Sequence, residues 1–162
     1  MDGVIDDATV NQGWNWGYDL ARGNANTQSL RIQERWERNY INIQRANNIV
    51  INIDRYGWHG GETDKDRLRI LGEARSVRSY FYLEVVSLFG HIMLYEKNPT
   101  TVAESEQVEQ IENPKLAFDF ILEDLRKAIE GLPEKAVNKS HFSKPGARLL
   151  RARAAVFAAG YL

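Results

Sequence analysis

Gly72-Glu73-Ala74-Arg75-Ser76-Val77-Arg78-Ser79-Tyr80-Phe81-Tyr82-Leu83-Glu84-Val85-Val86-Ser87-Leu88-Phe89-Gly90 decides how the chain is read. No glycine or proline interrupts it between its two ends. Apolar residues return every three or four positions at Leu68, Leu71, Ala74, Val77 (or Arg78), Phe81, Val85 and Leu88. That spacing predicts one helix from about Asp64 to a stop at Gly90. Upstream, Trp36, Tyr40, Ile43, Asn47 and Val50 recur at steps of four and three, with Ile32, Ala46 and Ile53 alongside. They predict a helix over 31–56, ended by Gly57 and the Gly60-Gly61 pair. Trp36 and Tyr40 fall on its core stripe. Asn47, polar within that stripe, is expected to make an interhelical hydrogen bond that fixes register. Arg75 and Arg78 lie one turn apart beside Tyr82. Packing their stems on the core, they would hold carboxylates or helix-end carbonyls, with an anion site as the alternative.

Downstream, the segment 91–112 starts apolar and turns acidic, which suggests a crossing loop with a helical turn near 105–110. Asn113-Pro114 pairs an N-cap with proline at the first helical position. The helix it opens runs over 114–131 with Ala117, Phe120 (or Ile121), Leu125, Ala128 and Ile129 inward, and stops at Gly131-Leu132-Pro133. Ser143-Lys144-Pro145 opens a fourth helix, whose run Ala147, Leu150, Ala154, Phe157 and Ala158 suits close helix–helix approach. Residues 11–29, rich in Asn, Gly and aromatic rings, have no helical period and read as loop. With no strand pattern the expected class is all-α: paired antiparallel helices stacked as a TPR-like superhelix, with an irregular N-terminal aromatic loop. The strict 34-residue period of tetratricopeptide repeats is absent. One domain over 1–162 is expected, divided into an irregular region 1–30, a first helix pair 31–90 and a second pair 113–162.

Composition narrows the function. The 162 residues are 43% hydrophobic and 27% charged, a globular balance. Twenty-one basic against 22 acidic residues leave a net charge of −1, so no phosphate-tracking surface and no nucleic-acid partner are expected. Without cysteine there is no disulfide framework, thiolate zinc site or cysteine nucleophile. His59, His91 and His141 sit in separate loops, each without a carboxylate or second histidine at a ligand spacing. Gly-rich phosphate loops, His-Glu-x-x-His and Gly-x-Ser-x-Gly are all missing. The expectation is a non-enzyme with no cofactor and no metal.

Trp14 and Trp16 lie two apart between Gly13 and Gly17, with Tyr18 behind. In an extended stretch both indoles point to one side and offer flat faces to the C–H face of a sugar ring. Arg22 and Asn24, with Asn26 and Gln28, could hydrogen-bond to hydroxyls. The structural alternative is that one or both tryptophans fold back over the first helix pair. Stacking on nucleobases fits the neutral charge balance poorly.

The stretch 72–90 resembles the GEARFLRAYYYFxLVxxFG element of the SusD/RagB family, glycan-capturing lipoproteins of the outer membrane in Bacteroidetes-type bacteria. The helix carrying Trp36, Tyr40, Ile41, Ile43, Ala46, Asn47, Ile49 and Ile53 is similar to the one that precedes it in that family. Phe120 to Ala128 with Gly131-Leu132-Pro133, and then Ala147 to Gly160, resemble the two that follow, so the likeness covers about residues 36–160. Two departures stand out. Where the family usually reads FGDVPL, this chain has Phe89-Gly90-His91-Ile92-Met93-Leu94, and Ser76 and Ser79 replace bulkier residues or alanine. The resemblance implies a parent protein several times longer that binds oligosaccharide at the cell surface. It also implies docking as a lid over a SusC-type TonB-dependent transporter, and a lipid anchor on a cysteine that this chain lacks. A second reading keeps the helical surface as an interaction scaffold for that transporter, with no sugar site of its own. On either reading the chain is expected to be an N-terminal segment, with self-association through an apolar face left uncovered on the third or fourth helix.

Overall fold

A computed structural model of the chain describes residues 4–5, 8–9, 22–23, 30–54 and 64–161. Residues 1–38 and 39–162 form separate compact units. Within the first, Val4–Ile5 (β1) and Ala8–Thr9 (β2) make a two-residue antiparallel ladder pairing Val4 with Thr9 and Ile5 with Ala8. The N-terminal region expected to be wholly irregular therefore contains this short hairpin. The other described elements are helices: α1 (Leu30–Asn52), α2 (Asp64–Phe89), α3 (Val102–Glu106), α4 (Pro114–Gly131) and α5 (Lys144–Ala159). The all-α reading stands, and the stacked helical architecture is that of a TPR-like fold.

Each boundary has a local cause. Asp64 and Asp66 in the first turn of α2 complement the helix dipole. At the other end Gly90 takes φ +68, a left-handed value that glycine adopts without a Cβ penalty. Helix α1 ends at Asn52, four residues short of expectation. Asn52 Nδ2 donates to the Asn48 carbonyl at 2.9 Å, and such side-chain bonds compete with the continuing helical ladder. Asp54 then accepts from Arg67 Nη1 of α2 at 2.6 Å. The short helix α3 starts at 102, slightly earlier than expected, because Thr101 Oγ1 caps the Glu104 amide. Hydrogen bonds from the Thr100 N–H and hydroxyl hold the Glu104 carboxyl below the usual carboxylate range. Asn113 and Ser143 cap α4 and α5, each followed by the expected proline.

In the second unit α2 packs along α4, α4 along α5, and α5 touches α2. Wedged between neighbours, α2 buries an arc wider than a half-turn that includes Leu71, Gly72, Ala74, Ser76, Arg78, Ser79, Tyr82, Val85 and Val86. A single-stripe reading therefore misplaces its ends: Leu68 and Leu88 are 44% and 47% exposed. Gly72, Ser76 and Ser79 are buried because only small side chains fit where the helix axes come close. Ser76 returns its hydroxyl proton to the Gly72 carbonyl at 2.8 Å.

The segment after Gly90 is a strap and not a free loop. Ile92 and Tyr95 are buried, Met93 bridges Gln110, and the Ile111 N–H donates to the Ile92 carbonyl at 2.8 Å. Two tyrosines act as its second strand. Tyr40 OH donates to the Met93 carbonyl and accepts from the Met93 N–H, both at 2.9 Å. Tyr82 OH does the same for Tyr95, at 3.0 and 2.7 Å. Burial pushes both phenols well above their ordinary pKa, so they remain neutral donors through the physiological range. In Tyr82→Phe the buried Tyr95 N–H loses its acceptor. The expected cost is about 2 kcal/mol, read as a melting temperature lower by about 4–8 °C and faster exchange of the Tyr95 amide proton.

Candidate functional site

A buried polar centre joins three helices. Arg78 on α2 grips Asp124 on α4 in a two-pronged pair, Nε to Oδ2 at 2.8 Å and Nη2 to Oδ1 at 2.6 Å. Its Nη1 donates to Asn47 Oδ1 on α1 at 2.7 Å, and the guanidinium lies 5.0 Å from the centre of the Phe120 ring. Arg75 Nε stands 3.7 Å from the same Asp124. Arg78 and Asp124 expose only 6% and 5% of their side chains. The first reading of this arginine pair, as holders of a carboxylate, is what the structure contains, and that carboxylate is the chain's own.

Directionality propagates outward from this pair. Arginine has only donors, so Asn47 must turn its oxygen inward, leaving its amide nitrogen to donate to the Tyr95 carbonyl (3.2 Å) and Asn98 Oδ1 (3.0 Å). Asn98 must then present its own amide nitrogen to the Gln44 carbonyl (2.9 Å) and Asn48 Oδ1 (2.8 Å). The expected interhelical role of Asn47 is met, and the residue also fixes the strap. Chemically this centre positions backbone, and its donors and acceptors are spent on one another.

A cleft of about 780 Å³ opens where the start of α2 meets the end of α4. Lys65, Asp66 and Arg69 line one side, Glu130, Glu134 and Lys144 another, with Leu132 and Pro133 between. Charged and aliphatic groups make up its described lining, with no aromatic ring on which a sugar could stack. Near it, His141 Nδ1 lies 2.9 and 3.0 Å from the two Glu73 oxygens, and Arg69 Nη1 donates to Glu73 at 2.9 Å. No sequence spacing could reveal this partner of His141, because it lies on another helix. The pair ties the α4–α5 connection to α2. Among the described residues no three His, Asp or Glu side chains gather as a metal site would require.

Of the residues proposed from sequence for sugar contact, Trp14, Trp16, Tyr18 and Asn24 lie outside the described residues, as does His59. Arg22 is exposed in a turn beside Gly23, which has φ +69. Of the two aromatics assigned to the core, Tyr40 is buried and Trp36 is half-buried.

Over residues 2–155 the chain matches a SusD-like family described as starch-binding and associating with the outer membrane. Among solved structures, a SusD-like protein from Bacteroides fragilis is 25% identical with a TM-score of 0.75, the match covering 86% of this chain and 26% of that one. A SusD homologue from Bacteroides thetaiotaomicron is 26% identical with a TM-score of 0.73, covering 85% and 27%. A laminarin-binding SusD-like protein shares the fold at 21% identity and a TM-score of 0.75, covering 86% and 29%. The match thus spans between 26% and 29% of the length of these three relatives. No curated protein matches the chain.

Proposed function

This chain belongs to the SusD-like family, and on that premise we propose that it serves non-catalytic capture of oligosaccharide at the outer-membrane surface. The observation that carries the reading is the family match over residues 2–155, a family described as starch-binding. Capture of laminarin by a protein of the same fold supports a glucan as the ligand class. The described cleft is charged and ring-free, which suits salt links better than stacking. Sugar contact is therefore assigned to Trp14, Trp16 and Tyr18, with Arg22 and Asn24 donating to hydroxyls. Rings flanked by glycines in sequence supply broad, weakly polar faces.

A SusC-type TonB-dependent transporter as partner, and a lipid anchor in the parent protein, complete the proposal. No described helix is long and apolar enough to cross a membrane, so attachment through a lipid suits the family's membrane association. Titration of the chain with malto- and laminari-oligosaccharides is expected to change tryptophan fluorescence saturably. In Trp14→Ala/Trp16→Ala the affinity is expected to fall at least about tenfold, with helical circular dichroism unchanged. An unaltered affinity in that variant would move the sugar site elsewhere. No saturable binding by the wild-type chain would leave the helices as a transporter scaffold.

A further inference from the structure

We draw no further inference here: the strongest candidate, the cleft between the start of α2 and the end of α4, where the exposed Leu68 and Val137 lie within a rim of Lys65, Arg69, Glu130 and Glu134, carries none because charges of both signs around an apolar floor select no single ligand and nothing in the structure shows what fills it.

Discussion

Asp124→Ala is expected to lower stability by about 3–5 kcal/mol, seen as a large fall in the urea midpoint and a melting temperature lower by about 6–20 °C. The size follows from what the substitution leaves behind. Arg78 keeps its bond to Asn47 and its place over the Phe120 ring, but its charge remains 6% exposed with no counter-ion at Nε and Nη2. Arg75, which also faces Asp124 at 3.7 Å, then meets Arg78 as an unscreened like charge. Removing both partners tests the cause. Arg78→Met/Asp124→Leu takes the charges away together and should recover most of the loss, since exchanging a buried ion pair for apolar groups is often near neutral. Recovery should stop short of complete, because Asn47 Oδ1 loses its donor and with it the reason to orient toward α2. Strap exchange rates give a second readout. In Arg78→Met/Asp124→Leu, the amide of Tyr95 should exchange faster, because the Asn47 carboxamide that holds its carbonyl has lost the donor that oriented it. An Asp124→Ala chain as stable as wild type would mean that water compensates the guanidinium and that the network does not position the strap.

Much of this frame was legible in the sequence where the signal is local. Asn113-Pro114, Ser143-Lys144-Pro145 and the glycine after Phe89 mark helix ends through bonds made within one turn, and α2 and α4 run between the residues those signals predict. Asn47 declared itself as a polar residue in an apolar stripe, and that oddity pointed to an interhelical bond. What periodicity could not show is burial decided by three bodies at once. Leu68 and Leu88 leave 44% and 47% of their surface exposed although they fall on the apolar stripe, while Ser76, Ser79 and Arg78 are buried, so side-chain size and charge pairing also decide burial along α2. The strap was hidden for a related reason. Ile92 and Tyr95 are buried three residues apart, without strand alternation, and the groups that pair with the backbone of Met93 and Tyr95 are tyrosine hydroxyls on two helices, which no strand pattern announces. His141 found Glu73 only through the fold, 68 residues away. For the sugar contacts, composition named the chemistry, rings beside flexible glycines, and of the five residues only Arg22 falls among those described.

Gly131→Ala carries the second large effect, expected at about 3 kcal/mol of lost stability. A Cβ at this position would stand 2.4 Å from the Leu68 carbonyl oxygen and 3.0 Å from its carbon, both backbone atoms of α2. Side chains can rotate away from such an overlap and backbone cannot, so α4 and α2 must separate. Separation acts on a close-packed seam. Gly72 already approaches the Ala128 carbonyl from the opposite helix, and Ala128 and Leu132 beside it are 0% and 2% exposed. Alanine is worth roughly 1 kcal/mol over glycine within a helix, but this gain is smaller than the overlap cost and lowers the net loss only in part. Two comparisons separate sterics from propensity. Gly146→Ala places its Cβ no closer than 3.6 Å to anything, so that variant should be neutral or stabilised by about 0.5 kcal/mol. Trimming Leu68 to alanine in the Gly131→Ala background should rescue nothing, because the obstructing atoms belong to the peptide unit. In Gly72→Ala, by contrast, part of the obstruction is the Leu132 side chain at 2.8 Å, so Leu132→Ala should relieve some of it. If Gly131→Ala melted with wild type, the close approach of α2 and α4 at Leu68 would be wrong. The cleft that opens beside it would then need a different shape.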